Sequence, residues 1–430
     1  MRRWRNGGRA PAAAVGPVPA TPEPGGWRRT FAALRVRNFR LFWCGQLLSL
    51  SGTWMQTVGQ AWLVLDLTGS PLALGTVTML QFLPILLFAL IAGVFADRVP
   101  KRRFLLLTQS AAMLQALSLA LLVATGTVQL WHVYVLAFLL GLTNAFDNPT
   151  RQAFVPEMVG RELVPNAVAL NSSLFNSARI VGPAVGGVTI ATVGIAGTFF
   201  LNAASFLPVL AALLLMRPAE LYPAPPARDA RVLAQLREGL GYAFRTPAVL
   251  LIVLLMGVLG TFGYNFNVAL ALLARYTLHA ESVGFGFMTS AMGLGSLASA
   301  VALAYSGRAT ERRLLAGAAA FSVLLVLVGL SRWYPLTLLL LVCLGYASIT
   351  FTATANSRLQ MAAPDHLRGR VMSLYFLLFA GSTPIGSELL GFTAHALGVS
   401  AAIVIFGSVC AAGVGLALLY RRSVTAAAGA

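Results

Sequence analysis

Gly93-Val-Phe-Ala-Asp97-Arg98-Val-Pro-Lys101-Arg102-Arg103 is a cluster of charge between two long apolar runs. Ala304-Tyr-Ser-Gly-Arg-Ala-Thr-Glu-Arg-Arg313 echoes it in the second half of the chain, again between apolar runs. Two basic loops at matching places in a hydrophobic chain imply a duplicated helical bundle, its copies related by a parallel repeat. Composition agrees. Of 430 residues, 58% are hydrophobic and 10% charged, with a mean hydropathy of +0.78. That is less than half the charge of an ordinary water-soluble domain, so a soluble globular fold is excluded.

About 20 residues of helix are needed to cross roughly 30 Å of hydrocarbon. Twelve such spans are expected, at 41–65, 72–96, 104–125, 131–154, 167–192, 196–216, 248–274, 282–305, 314–331, 335–357, 371–393 and 399–420. The expected class is an all-α membrane protein of two six-helix bundles, residues 39–217 and 247–421. A linker at 218–246 joins them, and tails at 1–38 and 422–430 flank them. With both termini on the cytoplasmic face, 28 of the 31 Lys and Arg residues fall on that side. Arg275 and Arg332 are left outside, and Arg179 lies within the fifth span. Such asymmetry sets the orientation. It also accounts for the net charge of +18 without a nucleic-acid partner, because the charge flanks apolar runs instead of forming one face.

The first 30 residues are rich in Arg, Pro, Ala and Gly and lack the apolar core of a signal peptide, so a disordered cytoplasmic tail is expected. In the linker, Val232, Leu233, Leu236, Leu240 and Phe244 share one face of a helix expected from about Arg228 to Phe244, a pattern suited to a membrane surface. Cys44, Cys343 and Cys410 stand singly in apolar spans and read as buried thiols. Enzyme chemistry finds no residues to carry it. The one lysine, Lys101, lies between Pro100 and Arg102, outside any phosphate-binding loop. The four histidines have no zinc-like spacing, and no Gly-x-Ser-x-Gly occurs. Neither cofactor nor metal is expected.

Gly93, Asp97, Arg98, Lys101 and Arg102 resemble the loop signature between the second and third helices of the major facilitator superfamily, with Pro100 where glycine is usual. Leu67-Thr-Gly-Ser-Pro-Leu-Ala-Leu-Gly75, Asn144-Ala-Phe-Asp-Asn-Pro-Thr-Arg-Gln-Ala-Phe-Val-Pro156 and Asn166-Ala-Val-Ala-Leu-Asn171 are similar to the branch holding the enterobactin exporter and the transmembrane secretion effectors, over about residues 35 to 420. The resemblance implies a carrier working by alternating access. It also implies that Asp97, poorly placed for its own helix dipole, partners the start of the eleventh helix near Gly369 and Arg370 and latches the halves on the inside. The plainer reading is that Asp97 balances Arg98 and Lys101 as a solvated topology signal. Gly182-Pro183-Ala-Val-Gly186-Gly187 resembles the antiporter signature of exporting members, with Ala178 at its leading glycine. On residues alone this is small-residue packing, and the resemblance is what places export before import.

Charges inside a membrane are costly and therefore informative. Arg179 falls near the midplane of the fifth span. Asp147 lies four residues before Arg151 on one face of the fourth, where it can pair with Arg151, with Arg179, or with each in turn. A static ion pair and a moving role in proton coupling or substrate binding are both open. Glu388, in the outer part of the eleventh span with no charged neighbour in sequence, suits a proton carrier. Drug antiporters of the superfamily often carry an arginine mid-way along helix four, and none stands between Tyr134 and Asn144. Asp66, at the outer end of the first span, reads as interfacial. The substrate cavity is expected at Gln56, Gln60, Asn144, Asn171, Asn176, Asn265 and Asn267. Trp54, Trp62, Phe262, Phe266, Phe376 and Phe379 are its expected apolar walls, and for each residue the alternative is interhelical bonding or packing. The expected function is export of a small amphiphilic solute, siderophore- or drug-like, by proton antiport across a bacterial plasma membrane, by a monomer whose partners are that solute, protons and lipid. Nutrient import, and a receptor or scaffold with no polar cavity, are the alternatives.

Overall fold

The computed structural model describes residues 30–223, 240–306 and 309–429, and the side chains of a few helical residues, Asp97 and Arg370 among them, fall outside that description. Every described element is helical. After a short turn at Ala32–Arg35 come α1 (Arg37–Thr68), α2 (Pro71–Arg98), α3 (Lys101–Ala124), α4 (Leu130–Val159) and α5 (Val164–Leu215). The second half holds α6 (Pro247–Gly263), α7 (Phe266–Leu272), α8 (Ser282–Ser306), α9 (Glu311–Leu330), α10 (Tyr334–Ala362), α11 (Asp365–Ala380), α12 (Thr383–Leu397) and α13 (Val399–Gly429). Boundaries follow local chemistry. Gly69 takes the left-handed conformation that ends α1, with φ 58°, and Ser70 caps α2 by accepting from the Ala73 amide, with Pro71 at the first turn.

Two breaks shape the bundle. A straight α5 would be about 78 Å long, more than twice a bilayer core. It is not straight: Gly194, at φ 75° and ψ 176°, holds a backbone conformation that side chains disfavour, and the chain reverses there. Before Gly194, Gly182 and Gly186 approach Trp54 and Met55 of α1. After it, Phe199, Asn202 and Val209 meet α1 at Gly59, Gly52 and Gly45, in descending order. The second break separates α6 from α7 at Tyr264 and Asn265, neither of which is helical. Nine stretches of the described residues are long and apolar enough to cross a membrane. Polar side chains dilute α1, while the interruption at Gly381 and Ser382 leaves α11 and α12 short.

Similar close contacts occur in the two parts of the chain. Gly141 of α4 lies against the Gln81 carbonyl of α2, and Gly345 of α10 lies in the same way against the Met292 carbonyl of α8. Gly186 meets Met55 of α1, and Gly386 of α12 meets the Thr261 carbonyl of α6. At the Arg-rich end each half carries an ionic staple built on the start of its third helix. In the first, Lys101 Nζ of α3 pairs with Glu157 of α4 at 2.8 Å. Arg102 donates to the carbonyls of Leu213 and Leu214 at 2.6 and 3.0 Å, satisfying the exposed end of α5. In the second, Glu311 of α9 pairs with Arg358 of α10 at 3.4 Å and with Arg421 of α13 at 2.5 Å. Position is kept while the sign of the charge is exchanged.

Some sequence expectations shift. The tail expected at 1–38 is held at its end, where the Ala33 amide donates to Asn166 Oδ1 and Asn38, fully buried, donates to the Arg217 carbonyl. Residues 1–29 and the linker helix up to residue 239 lie outside the described residues, and α13 runs into the segment expected as a tail from 422. Cys44 and Cys343 are exposed on the apolar surface and Cys410 alone is buried, because span hydropathy does not say which face looks inward.

Lys101 and Glu157 are nearly enclosed, at 5% and 12% exposure. Removing one partner strands the other, at a cost of about 3 kcal/mol or more. Lys101→Ala is therefore expected to lower the melting temperature of the detergent-purified protein by several degrees, and Lys101→Met with Glu157→Leu to recover most of it. An additive double variant would remove the coupling.

Candidate functional site

Contacts between the two halves are concentrated toward one end of the molecule and form a seal. There α2 runs along α12, and the first leg of α5 along α8. A Cβ on Gly75 would sit 2.7 Å from the Ser387 carbonyl, one on Gly391 2.8 Å from the Pro71 carbonyl, and one on Gly187 2.5 Å from the Ser282 carbonyl. Gly286 meets the Pro183 carbonyl in the same way. Ser282 and Ser290 donate across this contact to the carbonyls of Gly187 and Ile180. At the rim Asp66 and Arg275 form an ion pair at 3.1 Å, the guanidinium of Arg275 lies 5.1 Å over the Trp62 ring, and Tyr276 donates to the Gly69 carbonyl at 2.6 Å.

The seal ends near the level of Arg179 and Gly293, and a chamber of about 340 Å³ begins there. Both halves line it. The first supplies Trp54, Thr78, Phe82, Phe175 and Arg179. The break between α6 and α7 and the first turn of α7 supply four residues in a row, Tyr264, Asn265, Phe266 and Asn267, because leaving the helical path lets consecutive side chains turn to one cavity. Ser348, Thr352, Phe379, Thr383 and Ser387 complete its polar and aromatic wall. Tyr264 donates to the Ser348 carbonyl at 3.0 Å and stacks on Phe321 at 4.9 Å, so its ring is fixed. Phe175 also borders a second cavity of about 500 Å³ toward the Arg-rich end, lined by Gln46, Asn148, Arg151, Asn171 and Asn176. The two spaces, termed the vestibule and the chamber, share Phe175 in their walls.

Of the expected cavity residues, Asn265 and Asn267 line the chamber and Asn171 and Asn176 the vestibule, while Asn144 borders a small recess beside Asp147. Gln56 and Gln60 do not line either space. They are 3% and 6% exposed and bond between helices, Gln56 to Gln115 and Asn202, Gln60 to Gln81. A paired amide satisfies itself inside an apolar bundle, and residue type alone does not reveal the face it occupies. Trp54, Phe266 and Phe379 line the chamber, whereas Trp62 stacks on Phe285 at the seal and Phe262 packs on Phe406. The side chain of Phe376 lies outside the described residues. Tyr264, Thr289, Ser348, Thr352, Thr383 and Ser387 were not legible as cavity residues; their one sequence signal is a hydroxyl on an otherwise apolar helix.

Asp147 chooses among its open partners. It pairs with Arg151 at 3.3 Å and accepts from Thr108 at 2.7 Å and Gln109 at 2.8 Å, while Arg151 also donates to Gln46 and Asn148. Arg179 stands apart in the chamber. Glu388 lies in the seal instead of the cavity, accepting from Thr76 of α2 at 3.2 Å. Of the loop signature, Gly93 faces open space, Arg98 is exposed, and Lys101 and Arg102 are bound within the first half. The Asp97 and Arg370 side chains, and hence the latch between them, lie outside the described residues. In the antiporter-like stretch, Gly182 and Gly186 face α1, whereas Pro183 and Gly187 face α8 across the seal.

A family profile described as transmembrane secretion effector matches residues 28–428. The chain is 30% identical to the multidrug efflux pump Tap of Mycolicibacterium fortuitum, over 82% of this chain and 88% of that protein. It is 25% identical to the staphyloferrin A transporter of Staphylococcus aureus, over 86% and 92%, and 28% identical to the enterobactin exporter EntS of Escherichia coli O157:H7, over 77% of each. Among solved structures, a POT family transporter in complex with a thioalcohol-conjugated peptide superposes with a TM-score of 0.71 at 14% identity, over 92% of this chain and 97% of that one. The nucleoside transporter NupG gives 0.70 at 10%, over 91% and 98%. At such identities these two establish likeness of fold alone.

Two substitutions separate scaffold from seal. Asp147→Ala removes the acceptor shared by three side chains, and thermal melting should show a loss of about 3 kcal/mol. Gly187→Val places a branched side chain against the Ser282 carbonyl. It should leave the melting temperature within a few degrees while exposing a cysteine placed at Asn267 to thiol reagents from the sealed side; protection equal to that of the parent would refute the contact as a gate.

Proposed function

The chain belongs to the transmembrane secretion effector family of the major facilitator superfamily, and we propose that it exports small amphiphilic molecules, of the siderophore or drug class, by alternating access. It is a multi-pass membrane protein and a secondary transporter, not an enzyme. The observation that carries the proposal is the chamber at the foot of the seal. Its walls come from both halves, so rocking one half against the other exchanges the side on which it opens. The aromatic and hydroxyl-bearing lining suits a solute that is apolar with a few polar groups.

In this reading the chain crosses the membrane twelve times as bundles 39–217 and 247–421, α5 counting twice through its reversal, and α6 with α7 and α11 with α12 counting once each. The Arg-rich ends lie in the cytoplasm with both termini, in a bacterial plasma membrane. The structure is then open to the cytoplasm through the vestibule and closed outside, which is the loading state of an exporter. Resemblance to named efflux pumps and siderophore transporters supports outward transport. Protons are the proposed coupling ion and Glu388 their carrier: it bridges α12 to α2 within the seal, and its second carboxylate oxygen is buried without a hydrogen-bond partner. A monomer suffices, since one chain supplies both walls.

Proteoliposomes with the cytoplasmic face outward test the proposal. A lumen one pH unit more acidic than the bath should drive about tenfold solute accumulation by one-for-one exchange, abolished by a protonophore. Glu388→Gln should lose that gradient-driven accumulation while keeping solute-for-solute exchange. Accumulation under the opposite gradient would establish import, and absence of flux across a broad panel of amphiphiles would favour a scaffold.

A further inference from the structure

Arg179 is the one charged side chain among the described residues lining the chamber. Its guanidinium carries five N–H donors in a fixed fork. One terminal nitrogen donates to Asn176 Oδ1 at 3.1 Å, and Nε is buried without any partner. The acidic residues that might balance it are committed elsewhere: Asp66 to Arg275, Asp147 to Arg151, Glu157 to Lys101 and Glu388 to Thr76. No carboxylate lines the chamber among the described residues. A cation at this depth with unused donors and no counter-charge is costly for a purely structural element. The rings of Phe175 and Trp54, 5.8 Å apart in an edge-to-face arrangement, give the same corner an aromatic wall.

From this arrangement we infer that the transported solute is an organic anion, with a carboxylate or comparable oxyanion that docks on Arg179 and an aromatic or apolar body that lies among Trp54, Phe82, Phe175, Phe266 and Phe379. The inference rests on the export reading for the direction of transport and on the chamber alone for charge selectivity. An incoming oxyanion completes the fork with charge-assisted hydrogen bonds, while a cationic solute of the same shape meets uncompensated repulsion. Arg179 thereby acts as a specificity residue, and the charge it carries is neutralised only when cargo is aboard.

The test uses the purified full-length protein and three probes of one shape: 2-naphthoate, 2-naphthamide and 2-naphthylmethylammonium. Titration calorimetry should show naphthoate binding about tenfold or more tightly than either of the others. Arg179→Gln should abolish that preference, Arg179→Lys should retain part of it, and both variants should melt within a few degrees of the parent. Equal or tighter binding of the ammonium probe, naphthoate affinity unchanged in Arg179→Gln, or no binding of any probe would each overturn the inference. If charge preference holds but vesicles show no efflux, the export reading fails and anion recognition stands. If vesicles export cations and neutral amphiphiles while Arg179→Gln changes nothing, anion recognition fails alone.

Discussion

Backbone meets backbone at the heart of the seal between the two halves. At Gly75, Gly391, Gly187 and Gly286 a carbonyl from the opposite half occupies the space where a side chain would begin. Lipid tails are as apolar as leucine, so hydrophobic burial cannot hold helices together in a bilayer, and close van der Waals approach must. This constraint places the seal, and the seal places everything else. Where the glycine contacts stop, near Arg179 and Gly293, the helices diverge and the chamber opens.

The staples at the other end do a different job. Lys101 and Arg102 join α3 to α4 and α5, while Glu311 joins α9 to α10 and α13, so each half is clamped within itself. Neither staple spans the halves. Halves clamped within themselves and meeting mainly at one end can move as bodies, which is the mechanical requirement for exposing one site to two sides in turn.

Much of this was legible in the chain and some was not. Hydropathy located the helices because crossing hydrocarbon demands apolar length, and an ionic staple stands at each of the two basic loops the sequence singled out. The reversal at Gly194 fell between two expected spans. Partners were harder to read. Gln56 and Gln60 were expected in the cavity, yet they bond between helices, Gln56 with Gln115 and Asn202 and Gln60 with Gln81, since residue type alone does not say which way a side chain on a helix points. Tyr264 was invisible as a cavity residue because the break between α6 and α7 turns it inward, and nothing in Gly-Tyr-Asn-Phe-Asn announces which way a broken helix will point. Asp66 read as interfacial and proved to be half of a rim ion pair with Arg275, one of two cations left outside by the charge count.

Glycine against carbonyl also bears on how such a protein diverges over time. Glycine contacts of this kind offer evolution almost nothing to adjust, for nearly any replacement at Gly187 or Gly75 collides with main chain. The chamber walls, by contrast, come from separate helices and can be exchanged one at a time. Lineages sharing this architecture are thus free to acquire new cargo while inheriting the moving parts unchanged.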